Sequence, residues 1–211
     1  MILIGQYDSP FVRRVAIALR TYEMHYEHRP WSVFGDPEKI AEFNPLRRVP
    51  TLVLDSGEAL IESGAILDHL DEVAGPDKAL IARSGDARRR DLKLSALATG
   101  LGEKAVSLVY ERVLHTEQSE AWVARRRLQI GAVLNTLEAA RETVATPFWF
   151  GPTPGHADIA VACVLRFVSE AHPGVFEPKT WPSLAAHAAA CEAFDHFQSV
   201  QQPFYVAPLD D

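Results

Sequence analysis

Cysteine is scarce in this 211-residue chain. There are two, Cys163 and Cys191, and no Cys-x-x-Cys pair. That count excludes a disulfide framework and a dithiol redox motif. Cys163 lies in an apolar helical stretch and reads as a buried, inert thiol. No apolar run approaches the roughly 20 residues that would cross a bilayer, so no membrane contact is expected. No basic stretch leads into an apolar one after Met1, so no signal peptide is expected and cytoplasmic residence is the default. Positive charge is also short: 21 Lys+Arg stand against 28 Asp+Glu, for a net charge of −7. That balance argues against nucleic-acid binding through a broad basic face. The runs Arg88-Arg89-Arg90 and Arg125-Arg126-Arg127 sit inside helical patterns and read as solvated faces. The 8 His residues include no His-Glu-x-x-His or similar ligand spacing, so no metal is expected. His25 and His28 read as surface residues on or near a strand. Neither a Gly-x-Ser-x-Gly elbow nor a Walker loop occurs. Gly100-Leu101-Gly102-Glu103-Lys104-Ala105 fits the loose dinucleotide fingerprint, but no strand precedes it.

What the chain does have is an ordinary globular composition, 47% hydrophobic and 23% charged, with enough length for one large domain or two small ones. Residues 1–78 alternate strand and helix patterns. Ile2 to Gly5 reads as a strand and Pro10 to Tyr22 as a helix, with Val12, Val15, Ala16 and Leu19 at helical spacing. Tyr26 to Pro30 is a second strand. Asp36-Pro37 starts a short helix that must stop before Asn44-Pro45. Thr51 to Leu54 and Ala59 to Ile61 pair across Asp55-Ser56-Gly57, a hairpin loop with a glycine for the left-handed position. Ser63 then opens another helix. Gly75-Pro76-Asp77 is a breaker cluster. From about Ser84 the pattern is helical throughout, and Ala157 to Val168 is apolar nearly all round, as a buried central helix would be. Residues 1–78 hold 8 Lys+Arg against 13 Asp+Glu, so any anion site there must be local.

Three short motifs in the first 64 residues carry chemistry. Ser9-Pro10-Phe11 puts a hydroxyl at a strand-to-helix junction, where unpaired N–H groups and a partial positive charge favour an anion such as a thiolate. A plain Ser N-cap is the competing reading. Val49-Pro50-Thr51 enters a strand. A cis bond there could leave the Val49 N–H and C=O facing outward to pair with a short peptide; a trans proline at a sheet edge is the alternative. Glu62-Ser63-Gly64 begins a helix, where Ser63 and the following N–H groups suit a carboxylate and Glu62 an ammonium group. A capping Ser after an exposed Glu would look the same.

In order and spacing these motifs resemble the cytosolic glutathione transferase family. Ser9-Pro10-Phe11-Val12-Arg13-Arg14-Val15 resembles the catalytic signature of the Ser-type tau class and related bacterial enzymes. Asn44-Pro45-Leu46-Arg47-Arg48-Val49-Pro50-Thr51-Leu52 resembles the family's cis-proline segment, and Glu62-Ser63-Gly64-Ala65-Ile66-Leu67 its γ-glutamyl-binding segment. The resemblance implies a thioredoxin-like α/β domain over 1–78 and an all-α domain over 84–211. It implies that Ser9 donates a hydrogen bond to the glutathione thiolate and that Val49, ahead of Pro50, binds the cysteinyl backbone. Glu62 and Ser63 would hold the γ-glutamyl group and Arg48 the glycyl carboxylate, with Phe11 in the same binding set. Tyr7 is a competing hydroxyl, disfavoured because Ser9 directly precedes the helix. The expected reaction is conjugation of glutathione to a small hydrophobic electrophile bound between the domains over the Ser9 helix end, with Tyr110 as a candidate lining residue. Isomerisation or peroxide reduction on the same site, or a non-catalytic adaptor, are the alternatives. A homodimer is expected by resemblance. The sequence departs from the family in two places. Arg47-Arg48 stands where Gly-Lys is usual. Gly155-His156-Ala157-Asp158 keeps the acidic end of a capping box but lacks the hydroxyl, and Asp158 is expected to accept from the Gly155 N–H.

Overall fold

Three short, mostly apolar strands and one more polar strand build the sheet. In the computed structural model, which describes residues 1–206, they are β1 (Ile2–Ile4), β2 (Glu27–Arg29), β3 (Thr51–Val53) and β4 (Ala59–Ile61). The sheet order is β2-β1-β3-β4. β1 runs parallel to β2 and antiparallel to β3, and β3 and β4 form the hairpin. The register aligns Leu3 with Leu52 and Leu52 with Leu60, so side-chain alternation sorts the faces. On one face Ile4 and Val53 pack with Ile40 of α2 (Pro37–Ala41), joined by Trp31, Val33 and Phe43. By alternation Leu3 and Leu52, both fully buried, point to the other face. There α1 (Pro10–Thr21) and α3 (Ser63–Ala74) lie against β1 and β4 and against each other. The hairpin turns through Gly57 at φ +88°, the left-handed position expected of it.

The chain divides into two compact units. The second holds α4 (Gly85–Leu114), α5 (Glu120–Glu142), α6 (His156–Ala171) and α7 (Pro182–Glu192). α6 is buried along almost its whole length and packs on α4 and α7. Its N-terminus is capped as the sequence implies: Asp158 Oδ2 accepts from the Gly155 N–H at 2.9 Å, and Oδ1 accepts from the Trp149 N–H at 3.0 Å. No described helix is long and apolar enough to cross a membrane.

The expected second domain, 84–211, differs from the observed units at its end. Residues 194–206 belong to the first unit, and residues 207–211 lie outside the described residues. The cause is a buried cation on α1. Arg13 is 2% exposed and donates from Nε to the Val200 carbonyl at 3.0 Å and from Nη2 to the Phe197 carbonyl at 3.1 Å. These two carbonyls satisfy a guanidinium that burial would otherwise penalise heavily. Phe197, in the short α8 (Asp195–Gln198), is itself fully buried.

Candidate functional site

Pro10 fixes the backbone at the first position of α1 and has no N–H to satisfy. Ser9 is therefore the N-cap, with extended φ −68° and ψ 122°. Its Oγ accepts from the Val12 N–H at 3.4 Å, and its carbonyl accepts from the Arg13 N–H at 2.9 Å. The half-buried hydroxyl donates to no described residue, and the Phe11 N–H is likewise unused. A hydroxyl proton and an amide proton are thus both available at the positive end of a helix. Tyr7 is placed differently. Its hydroxyl is engaged with the Tyr26 hydroxyl at 2.8 Å and its ring stacks on His28. Burial, and then the Tyr26 hydroxyl, push its pKa above the ordinary phenol value.

The Val49–Pro50 bond is cis. Among the described residues the N–H and C=O of Val49 make no hydrogen bond, so both are open to a peptide partner. Buried Asn44 organises this segment. Its Nδ2 donates to the Arg48 carbonyl at 2.8 Å and to Thr51 Oγ1 at 3.1 Å, and its Oδ1 accepts from the Leu46 N–H at 3.0 Å. Gly5 brings Val49 and α1 together. It sits at φ +126°, and a Cβ there would come within 2.7 Å of Val49 Cβ and 2.5 Å of Val12 Cγ2.

Ser63 opens α3 and is buried. Its Oγ accepts from Arg14 Nη1 at 3.4 Å, which ties the start of α3 to α1. The N–H groups of Ser63, Gly64 and Ala65 have no described partner, as the first turn of a helix leaves them. Glu62 adopts φ +67°, a conformation that costs a non-glycine residue roughly 1–3 kcal/mol and clusters at binding sites. Its carboxylate pairs with Arg48 at 3.2 Å, both side chains being about half exposed, at 54% and 52%. Such an exposed pair is worth roughly 0–1 kcal/mol, so it opens at little cost to admit a ligand's own charges. The structure thus puts Ser9 at the N-cap of α1, shows how Gly5 holds Val49 against that helix, and pairs Arg48 with Glu62 ahead of Ser63. Phe11 sits half-buried in the first turn of α1.

Sequence reasoning missed four residues that build this site: Gly5, Arg14, His28 and Asn44. His28 is not a free surface residue. Its Nε2 bonds the Gly5 carbonyl at 2.8 Å and burial lowers its pKa, so it is a neutral donor fixing the glycine turn. Asn44-Pro45 reads from its own residues as a helix stop, and the resemblance to the cis-proline segment gives Asn44 no role of its own. Gly5 was the one available signal, a glycine between a strand and the Ser9 motif.

Tyr110, in the second unit, lines a cavity of about 530 Å³ with Leu114 and Trp122. Glu111 also lines it, accepting from the Ser119 N–H at 2.7 Å and bonding His115 Nδ1 at 3.0 Å. Among the described residues no group of three His, Cys, Asp or Glu side chains is placed to hold a metal ion.

Residues 3–78 match the glutathione S-transferase N-terminal domain and residues 120–190 the glutathione S-transferase C-terminal domain. The chain is 31% identical to the uncharacterized GST-like protein YibF of Escherichia coli, over 80% of this chain and 82% of that protein. It is 30% identical to the maleylacetoacetate isomerase of Pseudomonas aeruginosa, over 96% of this chain and 98% of the isomerase. A glutathione transferase family member from Pseudomonas fluorescens, crystallised with bound glutathione, superposes with a TM-score of 0.85 at 30% identity, covering 96% of this chain and 99% of its own. With both domain types matched in order, the chain belongs to the glutathione S-transferase family.

Proposed function

We propose that this protein is a glutathione transferase that conjugates glutathione to small hydrophobic electrophiles, with Ser9 as the catalytic residue. The observation that carries the reading is the Ser9 hydroxyl proton, unused at the N-terminus of α1 while Tyr7 is engaged elsewhere. The unused groups around it fit a tripeptide thiol: a backbone N–H and C=O at Val49, open N–H groups at Ser63 to Ala65, and one free-standing pair of opposite charges at Arg48 and Glu62. Glutathione supplies a sulfur nucleophile when bound. Ser9 donates its proton toward that sulfur and so favours the thiolate, with the α1 terminus and the Phe11 N–H acting in the same direction. The magnitudes suffice. Lowering a thiol pKa by about two units takes about 2.7 kcal/mol. A hydrogen bond to a charged group contributes about 1.5–3 kcal/mol, and a helix terminus about 0.3–1 kcal/mol more. Val49 pairs with the peptide backbone, Glu62 with the ammonium group, Ser63 with the adjoining carboxylate, and Arg48 with the glycyl carboxylate. Phe11 completes this set at the base of α1. A serine cannot form a mixed disulfide, which favours conjugation over thiol transfer.

The test compares Ser9→Ala and Tyr7→Phe in conjugation of glutathione to a generic aryl halide. Ser9→Ala is expected to lose about 10- to 100-fold in kcat/KM, the worth of one hydrogen bond to a charge, and Tyr7→Phe little. Equal or reversed losses overturn the assignment.

A second reading keeps the site and changes the reaction to isomerisation, as the maleylacetoacetate isomerase relative suggests. Turnover of a cis-unsaturated diketo acid with no consumption of glutathione would favour it. Homodimeric assembly and cytoplasmic residence complete the proposal. The dimer draws support from the exposed apolar side chains Leu46 and Val73 in the first unit, and light scattering of the purified chain tests it.

A further inference from the structure

Ser9 is gripped on both sides by the end of the chain. Ahead of it, the Tyr7 N–H donates to Gln202 Oε1 at 3.1 Å, and the Asp8 carboxylate accepts from the Tyr205 N–H at 3.4 Å. After it, Arg13 holds the Phe197 and Val200 carbonyls and lies over the Phe197 ring at 5.8 Å. Phe197 and Val200 are fully buried and anchor the segment, whereas residues 201–206 run beyond the anchor without helix or strand. The Gln202 side chain crosses from this irregular stretch to the loop that presents Ser9. The Tyr7 phenol cannot fix that loop's peptide plane toward the site, because it is committed to Tyr26 and His28.

We infer that Gln202 is a positioning residue for Ser9, an inference that rests on the thiol-activating reading of Ser9. The peptide between Gln6 and Tyr7 sets the approach of the chain to the Ser9 N-cap, since its carbonyl accepts from the Ser9 N–H at 3.2 Å, and Gln202 pins that peptide through the Tyr7 N–H. A hydrogen bond from Ser9 to a sulfur weakens steeply with angle, and a misplacement of about 1 Å can cost on the order of 100-fold. Gln202 does this with a neutral acceptor. A carboxylate there would add negative charge near a group that must itself become negative.

The experiment uses the 211-residue chain, Gln202→Ala, a chain ending at Gln201 that keeps the Arg13 anchor, and Ser9→Ala in parallel. Three quantities are read: the ultraviolet thiolate absorbance of bound glutathione against pH, amide exchange at Tyr7 in the ligand-free protein, and the melting temperature. In both Gln202 variants the thiolate midpoint moves up, in the same direction as in Ser9→Ala and by less. Tyr7 exchange accelerates, and kcat/KM falls about tenfold at neutral pH, recovering toward alkaline pH. Thiolate midpoints that match the wild type in both Gln202 variants while Ser9→Ala is shifted overturn the inference, whatever the melting temperature does. An unshifted Ser9→Ala overturns the reading of Ser9 itself, and Gln202 with it.

Discussion

Arg48 Nη1 and Glu62 Oε1 lie 3.2 Å apart, joining the cis-proline segment to the start of α3. Each has the charge needed by one end of a zwitterionic peptide, and in the ligand-free protein each serves as the other's counter-ion. On the proposed assignment of Arg48 and Glu62, binding glutathione would exchange one exposed pair for two.

Arg48→Ala therefore weakens ground-state binding. The expected outcome is a rise of about tenfold in KM for glutathione with kcat nearly unchanged, the signature of uniform binding. Initial-rate kinetics at two ionic strengths check it. In the wild type KM rises with salt, because these charges are about half exposed and screened. In Arg48→Ala that salt dependence is reduced.

Gly5 gives the second prediction. Gly5→Ala places a methyl within 2.5 Å of Val12 and 2.7 Å of Val49, at φ +126°. Neither neighbour has room to move, since Val12 is fully buried on α1 and Val49 precedes a buried proline. The overpacking costs roughly 1–3 kcal/mol, which lowers the melting temperature by about 2–4 °C per kcal/mol for a chain of this size. Because the shift separates Val49 from α1, glutathione affinity falls together with stability. Calorimetry and thermal melts measure the two.

Ser9→Cys converts the chemistry. A cysteine at the N-cap of α1 gains the same helix-end stabilisation as a thiolate. It attacks one sulfur of glutathione disulfide, forming a mixed disulfide and releasing one glutathione thiolate. Intact mass after incubation with glutathione disulfide shows one adduct, reversed by a dithiol. The two native cysteines stay unreacted because both are buried, and burial first of all pushes the Cys191 thiol far above its ordinary pKa.

Local signals explain what the sequence made legible. The Ser9-Pro10 cap, the Gly57 hairpin, the start of α3 and the capped, all-apolar α6 each depend on residues within a few positions of one another. The features that escaped notice depend on partners far apart in the chain. Arg14 meets Ser63, His28 meets Gly5, and Arg13 meets Phe197 and Val200. Nothing near Arg13 and Arg14 in the sequence marks them for burial, since charged residues are rarely buried without partners. Their partners are carbonyls and a hydroxyl that no periodicity marks. The return of the chain from Phe194 onward was hidden for the same reason.

A buried pair in the second unit sets the pH response of stability. Asp158 is raised from its ordinary 3.8 to about 6, first by burial and also by Asp91, against the N–H groups of Trp149 and Gly155 that oppose the rise. His187, with Nε2 at 3.4 Å from Asp158, is lowered from 6.5 to about 3 by burial and then by Arg141. Between about pH 4 and 6 the folded chain carries a proton on Asp158 that the unfolded chain has lost, so this group makes stability rise as pH falls. Over about pH 3 to 6.5 the unfolded chain carries a proton on His187 that the folded chain lacks, so that group makes stability fall as pH falls. The two slopes oppose each other from about pH 4 to 6, and their contributions nearly cancel there. His187→Gln removes the second, so its stability relative to wild type increases as pH drops from 6 to 4. Asp158→Asn removes the first, so its stability relative to wild type declines over the same interval, on top of a constant loss from one unsatisfied N–H at the α6 cap. Urea melts of the three proteins at pH 4, 5, 6 and 7 measure both signs. Parallel curves for all three would mean that neither group titrates differently on folding.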